Sequence, residues 1–216
     1  MAISETGPKT RIQARKRELI LEAALDIFSE NGFRGSTIDQ IAEAAGMSKP
    51  NLLYYFRSKE HIHETLIHRL LETWLAPLEH MNEDGDPVAE IIGYVRRKIE
   101  MSRDLPRESR LFANEMLHGA PRTMAMLDGE LKELVDKKAL VLKHWMEAGR
   151  IATLDPWHLI FSIWATTQHY ADFDVQVRAV LGSTRGGDGR FHDATNFLQQ
   201  FYVNALRPQG KDNSNT

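Results

Sequence analysis

The sequence predicts an all-α protein of about nine helices, and three observations support this prediction. Apolar residues recur at the three- and four-residue spacing of an α-helix along most of the chain. Glycines and prolines interrupt these patterns where helices are expected to end. Alternation of apolar and polar residues, which indicates strands, is not found at convincing length. We therefore expect a small N-terminal unit of three helices followed by a larger helical domain.

Composition excludes several classes of protein. The 216 residues carry a formal net charge of −3, so any nucleic-acid site must be a local patch rather than a polybasic surface. Cysteine is absent, which excludes disulfides, thiolate catalysis and cysteine-based zinc sites. The sequence contains neither an apolar run of ~18 residues, as a membrane helix requires, nor an apolar signal core near its start. We expect a cytoplasmic protein without a membrane partner.

The N-terminal region reads as an arm and two helices. Residues 1–12 are predicted to be a flexible arm that leads into a basic stretch containing Arg15 and Lys16. A first helix runs from there to Asn31-Gly32, which ends it. Ser36 or Thr37 caps the second helix.

A tight turn and a third helix follow. Gly46 ends the second helix, Ser48 is a good N-cap, and Pro50 falls in the first turn, where its missing N–H is not needed. Leu52 and Phe56 anchor one side of the helix, while the other side is polar and aromatic. This arrangement predicts a helix-turn-helix DNA-binding domain over residues 13–60.

The residues around this turn suit contacts with double-stranded DNA. A hydroxyl and an N–H at a helix N-terminus can bind a phosphate, first-turn polar residues of a recognition helix meet base edges, and tyrosines bind phosphates or thymine methyls. The predicted DNA-binding residues are Arg15, Lys16, Thr37, Ser48, Lys49, Pro50, Asn51, Tyr54, Tyr55 and Lys59. The spacing alone fits a purely structural three-helix bundle about equally well.

The remainder, residues 61–208, is predicted to be a helical ligand-binding and dimerisation domain, with a polar tail over 209–216. Within it, Trp164, Gln168 and Asp172 lie on one helical stripe. A glutamine amide offers an adjacent donor and acceptor, which matches the edge of an imide or lactam, and a tryptophan ring can stack on a flat molecule. The alternative is that these polar groups are satisfied within the core or a dimer interface.

Other patterns are set aside. His61, His63 and His68 have the wrong spacing for two metal ligands on one helix face, so we interpret them as solvated and expect no metal. The glycine-rich residues 182–190 lack a phosphate-loop motif. No nucleophile or paired acid and base shares a helix face, so we expect neither a cofactor nor an enzyme.

Residues 15–61 resemble the DNA-binding domain of the TetR family of bacterial repressors. The resemblance is carried by Asn31-Gly32-Phe33, Thr37-Ile38, Ala45-Gly46, Tyr55-Phe56 and Ser58-Lys59-Glu60. It implies a homodimer, in which the last two long helices form a four-helix bundle with their mates, and a near-palindromic operator. The aromatic stripe Phe191, Phe197, Phe201 and Tyr202 fits that interface or, equally well, an ordinary core. Leu53 stands where many members have tyrosine.

Over nearly its whole length the chain also resembles the group of this family that represses pyrimidine utilisation and responds to uracil and thymine, and its second half is what distinguishes this group from the wider family. The matching stretches include Thr73-Trp74-Leu75-Ala76-Pro77-Leu78, Ser109-Arg110-Leu111-Phe112 and Leu159 to Phe173. On this resemblance the predicted ligand-binding residues are Trp74, Arg110, Phe112, Trp164, Gln168 and Asp172.

The sequence therefore predicts a repressor that uracil or thymine releases from DNA. Three alternatives stay open: a regulator of this family that senses another small aromatic or lactam ligand, a helical enzyme acting on a planar substrate, and a scaffold that uses its N-terminal helices for protein contacts.

Overall fold

The computed structural model of the protein describes the chain over residues 8–208, with side chains from Arg11 onward. The first six helices are α1 (Pro8–Gly35), α2 (Ile38–Ala44), α3 (Lys49–Tyr55), α4 (Lys59–Glu79), α5 (Pro87–Asp104) and α6 (Pro106–Leu117). A short α7 (Met124–Met126) and a π-helical segment (Leu127–Leu131) lead into α8 (Lys132–Glu147), followed by α9 (Pro156–Asp172), α10 (Asp174–Arg185) and α11 (Arg190–Ala205). Because no residue of this described range lies in a strand, the all-α prediction is confirmed.

The first helix begins earlier than the sequence suggested. We expected a flexible arm through residue 12, but Pro8 already stands at the start of α1, where proline is well suited to the first helical turn. Residues 1–7 of the predicted arm, and the predicted tail 209–216, lie outside the described residues. Gly32 interrupts α1 with a φ of 66°, so the predicted break at Asn31-Gly32 is a kink after which helical structure resumes briefly.

The helices α9 and α10 are separated by a single residue, Phe173, which is non-helical. A φ of 70° at Gly182 then breaks α10 within the glycine-rich segment. No helix of the described part of the chain is both long and apolar enough to cross a membrane.

The chain divides into two compact units. The first unit comprises the residues up to Leu71 together with Arg110–Met124, and the second comprises Glu72–Ser109 and the residues from Ala125 onward. The first unit therefore holds more than the predicted DNA-binding domain over 13–60, since it also takes in the start of α4 and most of α6. The predicted domain limits stay a prediction.

Each unit has its own apolar core. In the first unit α1 buries Ile20, Ala24 and Phe28 against α2 and α3. In the second unit α5, α8, α9 and α11 pack around the fully buried Trp145, whose indole N–H donates to the Glu83 carbonyl at 3.0 Å. These cores hold the polar groups described below in fixed positions.

Candidate DNA interface and effector site

The turn between α2 and α3 is formed by local chemistry. Gly46 has a φ of +65°, and its N–H donates to the Glu43 carbonyl at 2.9 Å, which ends α2. Ser48 is the N-cap residue of α3, with extended backbone angles, and Pro50 occupies the first turn. Leu52 and Phe56, which are both fully buried, hold the inner side of α3 against the first unit's core. The opposite side of α3 is consequently fixed in orientation.

That outer side is polar and accessible. Its exposed residues are Ser48, Lys49, Pro50, Asn51, Leu53 and Tyr54, while Tyr55 is half-buried. The Ser48 hydroxyl makes no capping hydrogen bond to α3, so it is not required by its own helix. The Tyr54 ring is 72% exposed and packs edge-on against Tyr55 at a centroid distance of 5.1 Å. The predicted recognition-helix residues thus share one accessible surface, which we call the α3 face.

Two of the predicted contact residues already have partners in the chain. The Lys49 ammonium lies 2.9 Å from an Asp39 carboxylate oxygen, and both side chains are largely exposed. Thr37 forms a capping box with Gln40: the Thr37 N–H donates to Gln40 Oε1 at 2.8 Å, and Thr37 Oγ1 accepts from the Gln40 N–H at 3.2 Å. A phosphate at this N-terminus would have to displace the Gln40 side chain.

Basic residues of the first unit separate into exposed and internal groups. Arg15 is exposed and Lys16 is half-buried on α1. Arg17, in contrast, donates to the last carbonyl of α3, Tyr55 O, at 2.8 Å, and its guanidinium lies 4.1 Å from the Phe56 ring centroid. Sequence reasoning missed this helix clamp, because a basic run does not reveal which of its members turns inward.

Lys59 has a similar internal role. Its ammonium donates to the carbonyls of Phe33 at 2.8 Å and Ser36 at 2.6 Å, and it lies 4.3 Å from the Phe33 ring centroid. These bonds hold the link between α1 and α2. The predicted phosphate contact of Lys59 stays a prediction. It would have to use the third N–H of the ammonium, because the other two donate to the Phe33 and Ser36 carbonyls.

A buried charged cluster lies elsewhere in the first unit. Glu115 is almost fully buried on α6 and accepts two bonds from Arg122, from its backbone N–H and from its guanidinium, both at 3.0 Å. His63 Nε2 lies 3.8 Å from Glu115 Oε2, and the His63 ring packs edge-on against Phe28 and Phe33. Burial lowers the pKa of His63 to about 4 despite the opposing charge of Glu115. His63 is therefore not the solvated histidine that we expected.

A cavity of about 230 Å³ adjoins this cluster, and Phe33, His63, Glu115 and Arg122 contribute to its lining. The described residues contain no group of three or more histidine and acidic side chains that could hold a metal ion. The sequence carries a signal for the burial of His63, because this residue stands three and four residues before the apolar Leu66 and Ile67.

The second unit brings four of the predicted ligand residues onto two helices. Trp74 is buried on α4, and Trp164, Gln168 and Asp172 are half-buried on α9. The Trp164 indole N–H donates to the Tyr94 hydroxyl at 2.6 Å, which fixes the Trp164 ring. Burial raises the pKa of Tyr94, so this hydroxyl stays neutral. Within the described residues no hydrogen bond engages the side-chain amide of Gln168, so its N–H donors and its carbonyl acceptor are available to a ligand.

Asp172 and Trp74 meet at a lysine that sequence reasoning missed. The Lys98 ammonium lies 4.6 Å from the Trp74 ring centroid, Asp172 acts on it electrostatically, and the Ser109 hydroxyl donates to Asp172 Oδ1. Lys98 is only 4% exposed on α5. A sequence signal existed, since Lys98 stands three residues after Val95 and so falls on the buried stripe of α5.

The remaining two predicted ligand residues belong to the first unit. Arg110 is exposed and Phe112 is half-buried, both on α6. Their roles stay predictions.

The aromatic stripe of α11 is split by the structure. Phe191 and Tyr202 are buried in the core of the second unit, so for these two residues the structure supports the second alternative, an ordinary core. Phe197 and Phe201 are 62% and 50% exposed and stack on each other at a centroid distance of 6.1 Å. A cavity of about 420 Å³ between α10 and α11 borders Phe197. Large exposed apolar side chains of this kind indicate a protein interface.

Comparison with known proteins decides the family. The model of the family described as "Bacterial regulatory proteins, tetR family" matches residues 20–66, and that of "YcdC-like protein, C-terminal region" matches residues 67–209. The chain belongs to the TetR family. As a member of that family it is a DNA-binding transcriptional regulator of the helix-turn-helix type.

Relatives match from about two thirds to almost all of the chain. The HTH-type transcriptional regulator RutR of Escherichia coli K12 is 48% identical over 208 residues, which cover 96% of this chain and 98% of that protein. RutR of Shigella flexneri matches equally well. The HTH-type transcriptional repressor NicS of Pseudomonas putida is 34% identical over 69% of this chain and 70% of its own length.

Solved structures of regulators share the TetR fold. AibR in complex with isovaleryl coenzyme A and operator DNA aligns with a TM-score of 0.69 at 19% identity, over 90% of this chain and 100% of AibR. A putative fatty acid metabolism regulator of Clostridium perfringens aligns with a TM-score of 0.67 at 22% identity, over 88% of this chain and all of that one. At these identities the likeness concerns the fold alone.

Proposed function

We propose that the protein is a dimeric repressor that binds a near-palindromic DNA operator through its α3 face and is released by uracil or thymine. The observation that carries the proposal is the separation of roles within the chain. One unit presents an accessible polar helix anchored by Leu52 and Phe56, and the other holds partly buried groups that can bind a planar polar molecule.

The DNA-binding role is supported by the chemistry of the α3 face. Lys49 and Asn51 lie in the first turn, where a recognition helix meets base edges. Asn51 can form a bidentate hydrogen-bonded contact with adenine. Lys49 can donate to guanine or to a phosphate if its ion pair with Asp39 breaks. Exposed Arg15 adds a positive charge on α1 that can contact the DNA backbone. The net charge of −3 makes this a local rather than a general affinity for nucleic acids.

Two copies are needed to read a near-palindrome, because each half-site takes one recognition helix. The exposed pair Phe197 and Phe201 on α11 supports a homodimer, since these rings would lose their contact with water at a twofold interface. The same helix buries Leu198 and Tyr202, which gives that interface a rigid base. Such a regulator operates in the cytoplasm, where its operator is located.

The proposed effector follows from the groups of the second unit. Uracil and thymine are flat rings whose edge alternates carbonyl oxygens with an N–H. The open amide of Gln168 can pair with one carbonyl and that N–H, and the rings of Trp74 and Trp164 offer surfaces for stacking. The resemblance of nearly the whole chain to pyrimidine-responsive repressors supports the same choice.

Release requires that the effector favours one state of the dimer. The pyrimidine must bind the conformation whose recognition helices do not fit the spacing of the operator more tightly than it binds the DNA-binding conformation. The difference in binding free energy must be a few kcal/mol, or about 5.5 kcal/mol for a complete switch. An effector with equal affinity for both states would leave the operator occupied, however tightly it bound.

The experiment that tests the proposal is selection of bound DNA from a random pool by the full-length protein, with and without uracil. We expect one enriched near-palindromic site without uracil and its loss with millimolar uracil. The affinity for that site should fall steeply with salt, because several phosphate contacts release counterions. Failure to enrich any sequence would contradict the operator role, and unchanged enrichment with uracil and thymine would contradict the effector.

The nearest alternative changes only the effector. Another small aromatic or lactam molecule with adjacent donor and acceptor groups could engage Gln168 in the same way. A helical enzyme is disfavoured because the relatives that match the chain are regulators. Turnover of uracil by the purified protein would favour the enzyme, and calorimetry with a panel of lactams would separate the effectors.

A further inference from the structure

Lys98 occupies an unusual position for a charged side chain. It lies on α5 with 4% of its surface exposed, directly before Ile99, which is buried in the core of the second unit. Burying an ammonium group is costly unless nearby charges or hydrogen bonds compensate for the lost water. Here the compensation comes from the Trp74 ring, 4.6 Å away, and from the charge of Asp172.

Other inward-facing lysines of this protein are used differently. The Lys138 ammonium donates to the Met81 carbonyl at 2.9 Å, and that of Lys59 donates to the carbonyls of Phe33 and Ser36. Each of these lysines therefore fastens one segment of backbone to another. For Lys98, within residues 8–208, the structure gives the π face of Trp74 and the electrostatic influence of Asp172, but no hydrogen-bond acceptor for the ammonium. The N–H groups of its ammonium therefore form no hydrogen bond within these residues and are available to donate to a ligand.

The surroundings of Lys98 coincide with the proposed effector site. Trp74 and Asp172 were both predicted to bind the ligand, and Gln168 lies one turn before Asp172 on α9. The Ser102 hydroxyl, one turn after Lys98, donates to the carbonyl of Thr167 at 2.9 Å. This bond ties α5 to α9 beside both Lys98 and Gln168, so the two helices hold these side chains in a fixed relation.

A bound pyrimidine would have a carbonyl to which the Lys98 ammonium could donate. If the Gln168 amide pairs with the ring N–H and one carbonyl, the carbonyl on the other side of that N–H still lacks a donor. A buried carbonyl without a donor weakens binding. An ammonium donates three hydrogen bonds and accepts none, which makes it suited to a carbonyl and unsuited to a ring position that itself donates.

We propose that Lys98 is a specificity-determining residue of the effector site, which donates to the second ring carbonyl of the pyrimidine while Asp172 balances its charge. This inference rests on the proposed function. It adds a requirement that Gln168 alone does not impose: the effector must carry two carbonyls that flank an N–H, as uracil and thymine do.

The titration of Lys98 is consistent with this role. Burial lowers the pKa of Lys98 to about 8, and the Asp172 charge opposes that shift. The amine thus stays mostly protonated at neutral pH, and a carbonyl oxygen beside it would favour the protonated form further.

The test compares two lysine variants by calorimetry with uracil. Lys98→Met keeps most of the side-chain volume but removes the donor, whereas the control Lys138→Met removes a buried lysine of the same unit that donates to the Met81 carbonyl. We expect Lys98→Met to bind uracil at least about tenfold more weakly, since hydrogen bonds to charged groups are strong. Lys138→Met should bind uracil as the wild type does. Both variants should retain operator binding, which shows that they are folded.

A second measurement uses analogues of uracil in which one ring carbonyl is replaced by the weaker acceptor sulfur. The wild type should bind both 2-thiouracil and 4-thiouracil more weakly than uracil, whereas Lys98→Met should be nearly insensitive to one of the two replacements. If Lys98→Met does not fold, the ¹⁵N resonance of the Lys98 amine in the wild type should shift on uracil addition.

The outcomes separate the two proposals. Wild-type protein that binds neither uracil nor thymine contradicts the proposed effector. Wild-type protein that binds uracil, together with a Lys98→Met variant of equal affinity or an amine resonance unmoved by uracil, contradicts the role of Lys98 alone.

Discussion

The Arg122 guanidinium lies 3.5 Å from the centroid of the Phe33 ring. The same guanidinium donates to the buried carboxylate of Glu115 at 3.0 Å, and the carbonyl of Phe33 accepts from Lys59. One arginine therefore joins the end of α6 to the link between α1 and α2, within a single compact unit. The stacked contact therefore ties the segment after α6 to the end of α1, close to the residues that lead into α2.

Removal of the Arg122 side chain should destabilise the protein. Arg122→Ala leaves the Glu115 carboxylate, which is 3% exposed, without its guanidinium partner. We expect the free energy of unfolding to fall by about 3–5 kcal/mol, as for other broken buried ion pairs. Urea unfolding followed by circular dichroism measures this change. Arg34→Ala, at an exposed arginine at the end of α1, is the control, and a loss below about 1 kcal/mol for Arg122→Ala would contradict the account.

The buried His63 predicts a dependence of stability on pH. Its pKa is about 4 in the folded protein but near 6.5 when unfolded, so between these values the unfolded chain binds one proton more. Stability should therefore decrease as the pH falls from 6.5 to 4, by at most about 3 kcal/mol. The groups acting on His63 are Glu115 and Glu60, which raise its pKa, and Arg122 and Lys59, which lower it.

Comparison with a variant isolates this contribution from other titrating groups. His63→Gln cannot take up the proton, so its free energy of unfolding should vary less with pH over the same range, by about one proton in the slope. Chemical unfolding at a series of pH values gives both slopes. Equal slopes for the two proteins would show that His63 titrates normally.

Lys49 and Lys143 provide a matched test of the α3 face. Both lysines are about half exposed and pair with a carboxylate, Lys49 with Asp39 and Lys143 with Glu147. We expect Lys49→Ala to weaken operator binding by about 1–3 kcal/mol and, if Lys49 contacts phosphate, to reduce the salt slope by about 1. Lys143→Ala on α8 should change neither quantity. Fluorescence anisotropy with the selected operator at several salt concentrations measures the affinity and the salt slope. Equal effects of the two substitutions would contradict the role of α3 in DNA binding.

The exposed phenylalanines of α11 predict the effect of a charge on dimer formation. Phe201→Glu places a carboxylate on the stacked pair with Phe197, where a dimer interface would have to bury it without a partner. We expect the dimer to dissociate at micromolar concentration, as sedimentation velocity would detect, and operator affinity to fall with it. Leu140→Glu, at an apolar residue of α8 that is 63% exposed, should leave the dimer intact. A Phe201→Glu variant that remains dimeric would place the interface elsewhere.

The sequence could predict the α3 face because its signals are local. Gly46, Ser48 and Pro50 act on the backbone within a few residues, and Leu52 and Phe56 orient the helix by their spacing. The same reasoning could not assign the cations. Arg15, Arg17 and Lys59 are equivalent in the sequence, yet Arg17 and Lys59 bind backbone carbonyls of the chain, because distant segments bring acceptors to them.

By itself, the sequence determined the all-α fold, the helix-turn-helix and the residues presented on α3, because helix ends and helix faces depend on spacing and on backbone preferences that act at short range. Only the tertiary structure decided which groups surround each enclosed polar side chain. Most of the groups around His63 and Lys98 are distant from them in the sequence. Glu115 lies 52 residues from His63, and Trp74 and Asp172 lie 24 and 74 residues from Lys98. Burial and charge depend on that packing, and they turn ordinary surface residue types into groups with altered protonation and a proposed role in binding.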